Sequence, residues 1–262
     1  MTTFRLATLN VHSFADHLAY RDNMNQLINI LKPYNFDLIA VQETLNDDNW
    51  SKFCNLLGLN HFIYGPCEEH IFGNGIASRY PIKTYSNQRT SYSYLGGRRS
   101  LLECCLDSNH PFVKDRIFAV THLDHLNEHD RLKQIKEFDP WNKNIDIFMG
   151  DMNSLTQDDY SNNYFEKNIF ELRKKSNWEK PYFDVTQLIT NQWLYKDAFK
   201  QINPNLKDKQ LATCRYGTRI DYIYLHPRIY DSWILKDCSI IDTQNATDHN
   251  AVFAIFEQKQ NL

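Results

Sequence analysis

A short apolar segment of this chain ends in polar residues that can carry out chemistry. Residues 145–149 have the composition of a buried strand, and Gly150, Asp151, Met152 and Asn153 follow them directly. In α/β folds, ligands bind at the carboxyl ends of the strands. Asp151 can bind a metal ion or take a proton from water, and Asn153 can hydrogen-bond a phosphoryl oxygen without adding negative charge. The segment therefore predicts an α/β fold with a polar site at a strand end.

The length and charge of the chain limit the classes of protein to which it can belong. Its 262 residues suffice for one large α/β domain, and we expect a single domain over residues 1–262. The net charge of −3 gives no basic field for nucleic acid or an anionic membrane. No apolar run reaches the ~20 residues of a membrane-spanning helix, and the N-terminus lacks the pattern of a secretory signal. A cytoplasmic location is expected, or a nuclear one in a eukaryote, and the oligomeric state stays open.

Apolar periodicity predicts more strands than helices. Short apolar runs indicate strands at residues 4–9, 37–42, 75–78, 100–106, 116–121, 145–149, 220–225 and 251–256. Amphipathic patterns indicate helices at residues 20–32, 48–57, 128–138 and 183–189. This mixture favours two packed sheets with helices outside them. Residues 155–181 form a polar and aromatic insertion, which is either a solvated excursion with a surface helix or a rim over a functional site.

Five further segments combine an apolar strand with a polar residue at or near its end. These residues are Asn10, Glu43, His122, Asp221 and the pair Asp248–His249. Each has a structural alternative, because an Asn can cap a turn, a Glu can occupy an exposed strand end and a His can be hydrogen-bonded in a core. A buried Asp221 needs a partner, and His249 is a candidate. Coincidence of all six segments is improbable, so a shared site is the better interpretation.

The residue types fit attack of water on a phosphate ester. Glu43, with Asp248 or Asp151, supplies the hard oxygen ligands that Mg²⁺ or Mn²⁺ prefers. Asp151 can orient and deprotonate the attacking water. His122 and His249 can donate hydrogen bonds to phosphate oxygens, Asp221 can fix the tautomer of His249, and Asn10 and Asn153 supply neutral hydrogen bonds. The glycine-rich phosphate loops and the G-x-S-x-G nucleophile motif are absent from the sequence.

In this order along the chain, the motifs resemble those of the endonuclease/exonuclease/phosphatase superfamily, also called the DNase I-like fold. The matching segments are Thr8-Leu9-Asn10, Val41-Gln42-Glu43, Thr121-His122-Leu123-Asp124, Gly150-Asp151-Met152-Asn153, Arg219-Ile220-Asp221-Tyr222 and Thr247-Asp248-His249. Thr247 departs mildly from the Ser that is usual in the last motif. The segment from Gly75 to Ile82 and the segment Arg98-Arg99-Ser100-Leu101 resemble two further strands of the family.

The resemblance implies a four-layered α/β/β/α sandwich, a divalent cation (Mg²⁺ or Mn²⁺) and a role for each motif. Glu43 and Asp248 correspond to metal-side carboxylates, and Asp151 to the water-activating Asp. The other catalytic residues implied are His122 and His249 on the phosphate, Asp221 behind His249, and Asn10 and Asn153 on substrate and nucleophile. Three substrate-binding residues are also expected: Arg99 on a phosphate, with Arg98 as its competitor; Asn74 in the same groove, unless it is an ordinary turn residue; and Trp178 in the insertion.

The motifs do not identify which phosphate ester is the substrate. A phosphodiesterase on DNA, RNA or nucleic-acid ends is the first hypothesis. A small phosphate ester or lipid headgroup, of the inositol phosphate or sphingomyelin type, is the second. A non-catalytic binding protein on the same scaffold ranks last, because Glu43, Asp151 and His249 are all present. A long channel lined by Arg or Lys would favour nucleic acid, whereas a closed aromatic pocket would favour a small ester.

Overall fold

The computed structural model describes residues 2–15, 23–68, 72–91 and 93–259. Within these residues the chain forms twelve strands: β1 Thr3–Asn10, β2 Leu38–Thr44, β3 His61–Pro66, β4 Gly73–Ser78, β5 Ile82–Arg89, β6 Ser100–Leu106, β7 Ile117–His122, β8 Ile147–Asp151, β9 Lys196–Asp197, β10 Asp221–Leu225, β11 Trp233–Ile241 and β12 Ala251–Gln258. The helices are α1 Met24–Leu31, α2 Asp48–Leu56, α3 Glu128–Phe138, α4 Asn162–Tyr164, α5 Glu171–Lys175, α6 Asp184–Gln187 and α7 Ala198–Ile202. Segments Phe165–Phe170 and Leu188–Gln192 are π-helical.

The strands form two six-stranded mixed sheets. The order in the first sheet is β11-β12-β1-β2-β4-β3, and in the second it is β5-β6-β7-β8-β10-β9. Each sheet has a parallel pair at its centre, β1 with β2 and β7 with β8, whereas the other pairs are antiparallel. The two strands of a parallel pair end at the same edge of their sheet. Both sheets therefore present two carboxyl ends side by side.

The sheets pack face to face, and helices cover their outer faces. Leu6 of β1 and Ile76 of β4 pack with Val120 and Met149 of the second sheet in the core between the sheets. The neighbouring Ala7 points the other way, into a second core under α1 and α2. A third core lies under α3 and α6. Central strands are buried on both faces, which explains why they read as continuous apolar runs. The result is the predicted four-layered α/β/β/α sandwich.

All eight predicted strands are present, with ends shifted by up to two residues. Four strands were missed: β3, β5, β9 and β11. Strand β5 is an edge strand that is largely exposed, so polar residues replace the expected apolar run. The helix predicted at 20–32 begins at Met24 and ends at Leu31, and residues 20–22 lie outside the described residues. Among the described residues, no helix is long and apolar enough to cross a membrane.

Candidate active site

The sheet register brings three predicted residues together at the end of β8. Asp151 is paired with His122 of β7 on one side and with Asp221 of β10 on the other. Gly150 makes this arrangement possible, because its φ is +134° and an added Cβ would lie 2.0 Å from the carbonyl oxygen of Thr121. A side chain at this position would push β8 away from β7. The Gly-Asp pair in the sequence motif therefore has a direct structural reason.

The first sheet contributes Asn10 and Glu43 from the ends of its parallel pair, β1 and β2. Glu43 lies where the register of β2 shifts against β4, and its left-handed backbone (φ 56°) marks the irregularity. The Asn10 side-chain amide donates to Glu43 Oε1 over 2.9 Å and to Asp151 Oδ2 over 3.3 Å. The second of these bonds crosses from one sheet to the other. Asn10 therefore ties the two strand ends into one cluster.

Asn153 turns back toward β7 immediately after β8. It is left-handed (φ 48°), a conformation that Asn tolerates better than most residues, and its backbone N–H donates to Asp151 Oδ1 over 2.9 Å. Its side-chain amide donates to His122 Nε2 over 3.0 Å and to the Leu123 carbonyl over 3.1 Å. Because Nε2 accepts this bond, the proton of a neutral His122 lies on Nδ1.

His249 and Asp221 form a buried ion pair on the other side of Asp151. His249 Nδ1 lies 2.9 Å from Asp221 Oδ2, and its Nε2 lies 3.7 Å from Asp151 Oδ2. Asp221 is fully buried, and His249 retains only 8% of its exposure. The partner that a buried Asp221 was expected to need is therefore His249.

The surroundings shift the pKa values of Asp151, His122 and His249 in different directions. Burial, together with the nearby Asp221 charge, raises the pKa of Asp151 to about 7. Burial and the Arg99 charge lower the pKa of His122 to about 3, which leaves this imidazole neutral. Burial also opposes the charge of His249, but Asp221 outweighs it and raises the pKa of His249 well above its usual value. The cluster thus holds a carboxyl group near its titration point between one neutral and one protonated imidazole.

The carboxylates of Glu43 and Asp248 face the cavity and suit a hard cation. Burial opposes the charge of Glu43, but hydrogen bonds from His12 and Asn10 and the nearby His122 imidazole lower its pKa below the usual range. Asp248 Oδ1 is buried, and no residue that the structure describes donates a hydrogen bond to it. An oxygen in this state is a natural ligand for a cation, so the two residues fit the predicted metal site.

A second group could also hold a metal ion. Asp151, Asp221 and His249 each present one ligand atom, and these atoms lie within 4.8 Å of one another. In this group His249 Nδ1 is already bonded to Asp221, and binding through it would break that bond. We favour Glu43 and Asp248 as the predicted cation ligands, because both carboxylates line the cavity and Asp248 Oδ1 has no hydrogen-bond donor among the described residues.

The cluster opens into a cavity of about 660 Å³. Its walls carry Arg98, Arg99 and Arg173, and its mouth carries four partly exposed apolar side chains: Phe72, Leu126, Trp178 and Tyr216. The rings of Trp178 and Tyr216 meet edge to face with centroids 4.9 Å apart. The cavity therefore has charged arginines in its walls and aromatic side chains at its entrance.

The three predicted substrate-binding residues all line this cavity. Arg99 is the more buried of the two competing arginines, and its guanidinium contacts His125 Nδ1 at 3.2 Å. Asn74 is fully buried, and its amide donates to the backbone carbonyl of Ser100 over 2.9 Å, so it belongs to β4 and not to a turn. Trp178 reaches the mouth from the 155–181 insertion. Their contact with substrate stays a prediction.

The 155–181 insertion is attached to the body of the protein at both ends. Near its start, buried Asp159 accepts two hydrogen bonds from buried Arg219, whose Nη2 also lies 2.7 Å from Asp197 Oδ2. Near its end, Glu179 pairs with buried Arg131 of α3 and accepts from the Glu128 backbone N–H over 2.7 Å. These two attachments hold the segment against the body of the protein, and Arg173 and Trp178 from it line the cavity. Its role as a rim over a functional site stays a prediction.

His12 is the site residue that the sequence did not reveal. It lines the cavity two residues beyond Asn10, and its Nδ1 lies 3.3 Å from Glu43 Oε2. It stands outside any strand, so no apolar run pointed to it. The structure brings together all of the residues that the sequence did predict: Asn10, Glu43, His122, Asp151, Asn153, Asp221, Asp248 and His249. Their catalytic and metal-binding roles stay predictions.

A family model described as the endonuclease/exonuclease/phosphatase family matches residues 7–249, which is nearly the whole chain. Among curated protein sequences, none matches the chain significantly. The family match does not depend on the structure, and it agrees with the motifs that meet at the strand-end cluster.

Three solved structures illustrate the fold. An endonuclease/exonuclease/phosphatase from Beutenbergia cavernae is 17% identical with a TM-score of 0.72, over 98% of this chain and 72% of that chain. An AP endonuclease from Archaeoglobus fulgidus is 16% identical with a TM-score of 0.66, over 97% and 99%. A mannosyl-6-phosphatase from Bacteroides thetaiotaomicron is 14% identical with a TM-score of 0.62, over 98% and 100%. These similarities show the fold, and the family model shows the family. The chain belongs to the endonuclease/exonuclease/phosphatase family of hydrolytic phosphoesterases and has its DNase I-like fold.

Proposed function

We propose that this protein is a divalent-metal-dependent hydrolase that cleaves a compact phosphate ester by direct attack of water. The observation that carries the proposal is the convergence of two sheet edges on Asp151, with neutral His122 on one side and protonated His249 on the other. Cys67 and Cys214 also line the cavity, but burial raises the pKa of each thiol, which disfavours the nucleophilic thiolate, and water is the proposed attacking group.

Asp151 is proposed as the general base. Its pKa near 7 matches the requirement that a base be ionised at working pH and still accept a proton. The Asn153 backbone N–H and the Asn10 amide hold one carboxylate oxygen each. The carboxylate is therefore oriented before water binds, which lowers the entropic cost of the reaction.

His249 is proposed to stabilise the negative charge that develops on the phosphoryl oxygens. It is held by Asp221 through Nδ1, which leaves Nε2–H directed toward Asp151 and the cavity. A fixed donor with positive charge acts most strongly where charge develops in a buried site. His122 is neutral and supplies a weaker hydrogen bond through Nδ1–H. The two histidines thus have different roles.

Glu43 and Asp248 are proposed to hold Mg²⁺ or Mn²⁺. A cation bound there would neutralise negative charge on the phosphate. We expect Glu43→Gln to weaken cation binding, so that turnover requires a higher metal concentration. A metal titration of turnover that matches the wild type would count against this role.

The cavity supports a compact substrate. Its volume of about 660 Å³ lies within the range of small-ligand sites, roughly 300–1,000 Å³, and several residues of the 168–179 stretch line it. The fold itself does not decide, since it is shared by an AP endonuclease and a mannosyl-6-phosphatase. The aromatic side chains at the mouth of the cavity, Trp178 and Tyr216, favour a small ester. Hydrolysis of nucleic-acid ends is the second candidate, because Trp178 and Tyr216 could stack on a terminal base beside the cavity arginines.

A panel of phosphoesters tests the proposal. The purified protein is assayed with Mg²⁺, with Mn²⁺ and with a chelator on sugar phosphates, nucleotides, inositol phosphates, single-stranded DNA, RNA and plasmid. We expect metal-dependent hydrolysis of at least one compact ester, with a kcat/KM above that of plasmid. The variant Asp151→Asn removes the proposed base, and its activity should be lost. Asp158→Asn, which neutralises an exposed carboxylate seven residues further along the chain, is its matched control. Hydrolysis of plasmid alone would refute the compact-substrate proposal, and hydrolysis of none would refute the enzyme assignment.

A further inference from the structure

Arg99 carries a buried positive charge that has no carboxylate partner. The residue retains only 9% of its exposure and lines the cavity. Its guanidinium bonds to His125 Nδ1 over 3.2 Å, and among the described residues no carboxylate oxygen lies within 4.0 Å of it. Its buried Nε also has no acceptor among them. A buried charge without a counterion is costly, which favours the binding of an anion from the cavity.

His125 adds a second hydrogen-bond donor beside this charge. A guanidinium can only donate, so His125 Nδ1 accepts the bond from Arg99 and the proton of this imidazole lies on Nε2. Partial burial and the Arg99 charge both lower the pKa of His125, which keeps the ring neutral. The side chain lines the cavity, and its Nε2–H has no acceptor among the described residues. This N–H can therefore donate to the same anion as Arg99.

The two donors lie on the far side of His122 from the proposed reacting centre. Arg99 directly precedes β6, and the strand order β6-β7-β8 places His122, at the end of β7, between Arg99 and Asp151, at the end of β8. Neighbouring strands are about 4.8 Å apart, so the backbones of β6 and β8 lie roughly 10 Å apart. A phosphate held at Asp151 and His249 therefore leaves Arg99 and His125 for a second anionic group.

We infer that Arg99 and His125 form a second anion subsite, and that the substrate carries a second phosphate group that binds there. This inference rests on the proposed function, which places the reacting phosphate at the strand-end cluster. Arginine suits this role, because its planar guanidinium can donate two parallel hydrogen bonds to a phosphate. The phosphate contact expected of Arg99 is thereby assigned to the phosphate that does not react. The proposed compact ester is narrowed to the bisphosphate class.

Two rival roles for Arg99 make different predictions. In the first, Arg99 binds the reacting phosphate itself, so its loss weakens the binding of every phosphate ester equally. In the second, Arg99 only holds His125 and the loop after β7, so its loss leaves phosphate binding unchanged. A second subsite alone makes the loss specific to ligands that carry two phosphates.

Alkanediol phosphates with linkers of two to six carbons are suitable probes, because each bisphosphate has a matched monophosphate and differs from it only in the second phosphate. Calorimetric titration in the presence of Mg²⁺ gives their affinities. The parent protein for this titration is Asp151→Asn, so that no ester is hydrolysed during the measurement.

Two variants of this parent remove the donors of the subsite, Arg99→Gln and His125→Ala. Arg89→Gln on exposed β5 and His129→Ala on the exposed face of α3 are the matched controls. Thermal unfolding verifies that each variant is folded. If Arg99→Gln does not fold, His125→Ala keeps the test open, because that side chain is exposed.

We expect at least one bisphosphate to bind the parent and both controls more tightly than its monophosphate, by about 10-fold or more. Arg99→Gln should remove this advantage and His125→Ala should reduce it, while the affinities for monophosphates stay nearly constant. No advantage in the parent, an advantage that survives both substitutions, or an equal loss for both kinds of ester would overturn the second subsite alone. A parent that binds neither kind of ester would overturn the proposed function as well.

Discussion

The strand-end cluster and the outer wall of the cavity are built in different ways. The cluster consists of Asn10, Glu43, His122, Asp151, Asn153, Asp221, Asp248 and His249, and most of these side chains are buried and bonded to one another. The outer wall, residues 168–179, is a mostly helical stretch that lines the cavity through side chains such as Arg173 and Trp178. The backbone of the two sheets positions the cluster, whereas a few ion pairs position the wall.

Under the proposed function, this difference assigns the chemistry to the cluster and the selectivity to the wall. The parallel pairs force strand ends to coincide, so the cluster follows from the topology of the fold. The wall is attached at Asp159 and Glu179 and can vary without changing the sheets. Changes in the cluster should therefore alter turnover, and changes in the wall should alter substrate affinity or stability.

The largest effect is expected from Asp151→Asn. The attacking water loses its base, so kcat should fall by at least ~10³-fold while KM changes little. The amide is isosteric, and thermal unfolding should show a folded protein. Near-normal turnover in steady-state kinetics would remove Asp151 from the mechanism.

The next effect concerns the attachment of the wall. Arg219→Met removes the buried guanidinium between Asp159 and Asp197 and leaves Asp159 only its pair with Lys200, which should lower the free energy of unfolding by about 3–5 kcal/mol. Lys236→Met breaks the exposed pair with Glu257 and should cost no more than ~1 kcal/mol. Denaturant titration of both variants provides the measurement. Equal losses would show that burial of the Arg219 network does not matter.

A third variant tests the charge of the cluster. In Asp221→Asn, the pKa of His249 should fall, because the carboxylate that raises it is gone. NMR titration of the imidazole, with chelator present, measures the change, and turnover should drop by about 10²-fold through loss of the charged donor. Since the folded-state pKa is raised, the pair stabilises the fold fully below pH ~6.5, and this contribution declines as pH rises through the folded-state value. An unchanged imidazole pKa would contradict the assigned pairing.

The smallest effect is expected at the cavity mouth. Trp178→Ala removes an aromatic contact worth about 0.5–1.5 kcal/mol, so KM should rise roughly 2- to 13-fold with kcat nearly unchanged. Tyr182→Ala, at a comparably exposed ring that does not line the cavity, is the control. Should Trp178→Ala lower kcat and leave KM constant, the division between cluster and wall would be wrong.

The same division explains what could be predicted from sequence. Asp151 and Asn153 were predictable because a buried strand is a continuous apolar run and its last residues stand out. Strand β5 was not, since an exposed edge strand carries polar residues. His12 was missed because a left-handed turn, invisible in the composition, brings it back to Glu43.

The anchors of the wall were hidden for a different reason. Arg219 and Asp159 are 60 residues apart, and charged residues at such positions suggest surface, not core. Only the packing of the insertion against β10 and α7 shows that they are buried together. The motif that contains Arg219 was recognised, but its role in holding the wall was not.

The most direct test of the whole account is a crystal structure with Mn²⁺ and inorganic phosphate, with the metal located by its anomalous scattering. We expect Mn²⁺ between Glu43 and Asp248, and phosphate in contact with His122, Asn153 and His249. Metal and phosphate bound elsewhere, with the strand-end cluster holding only water, would contradict it.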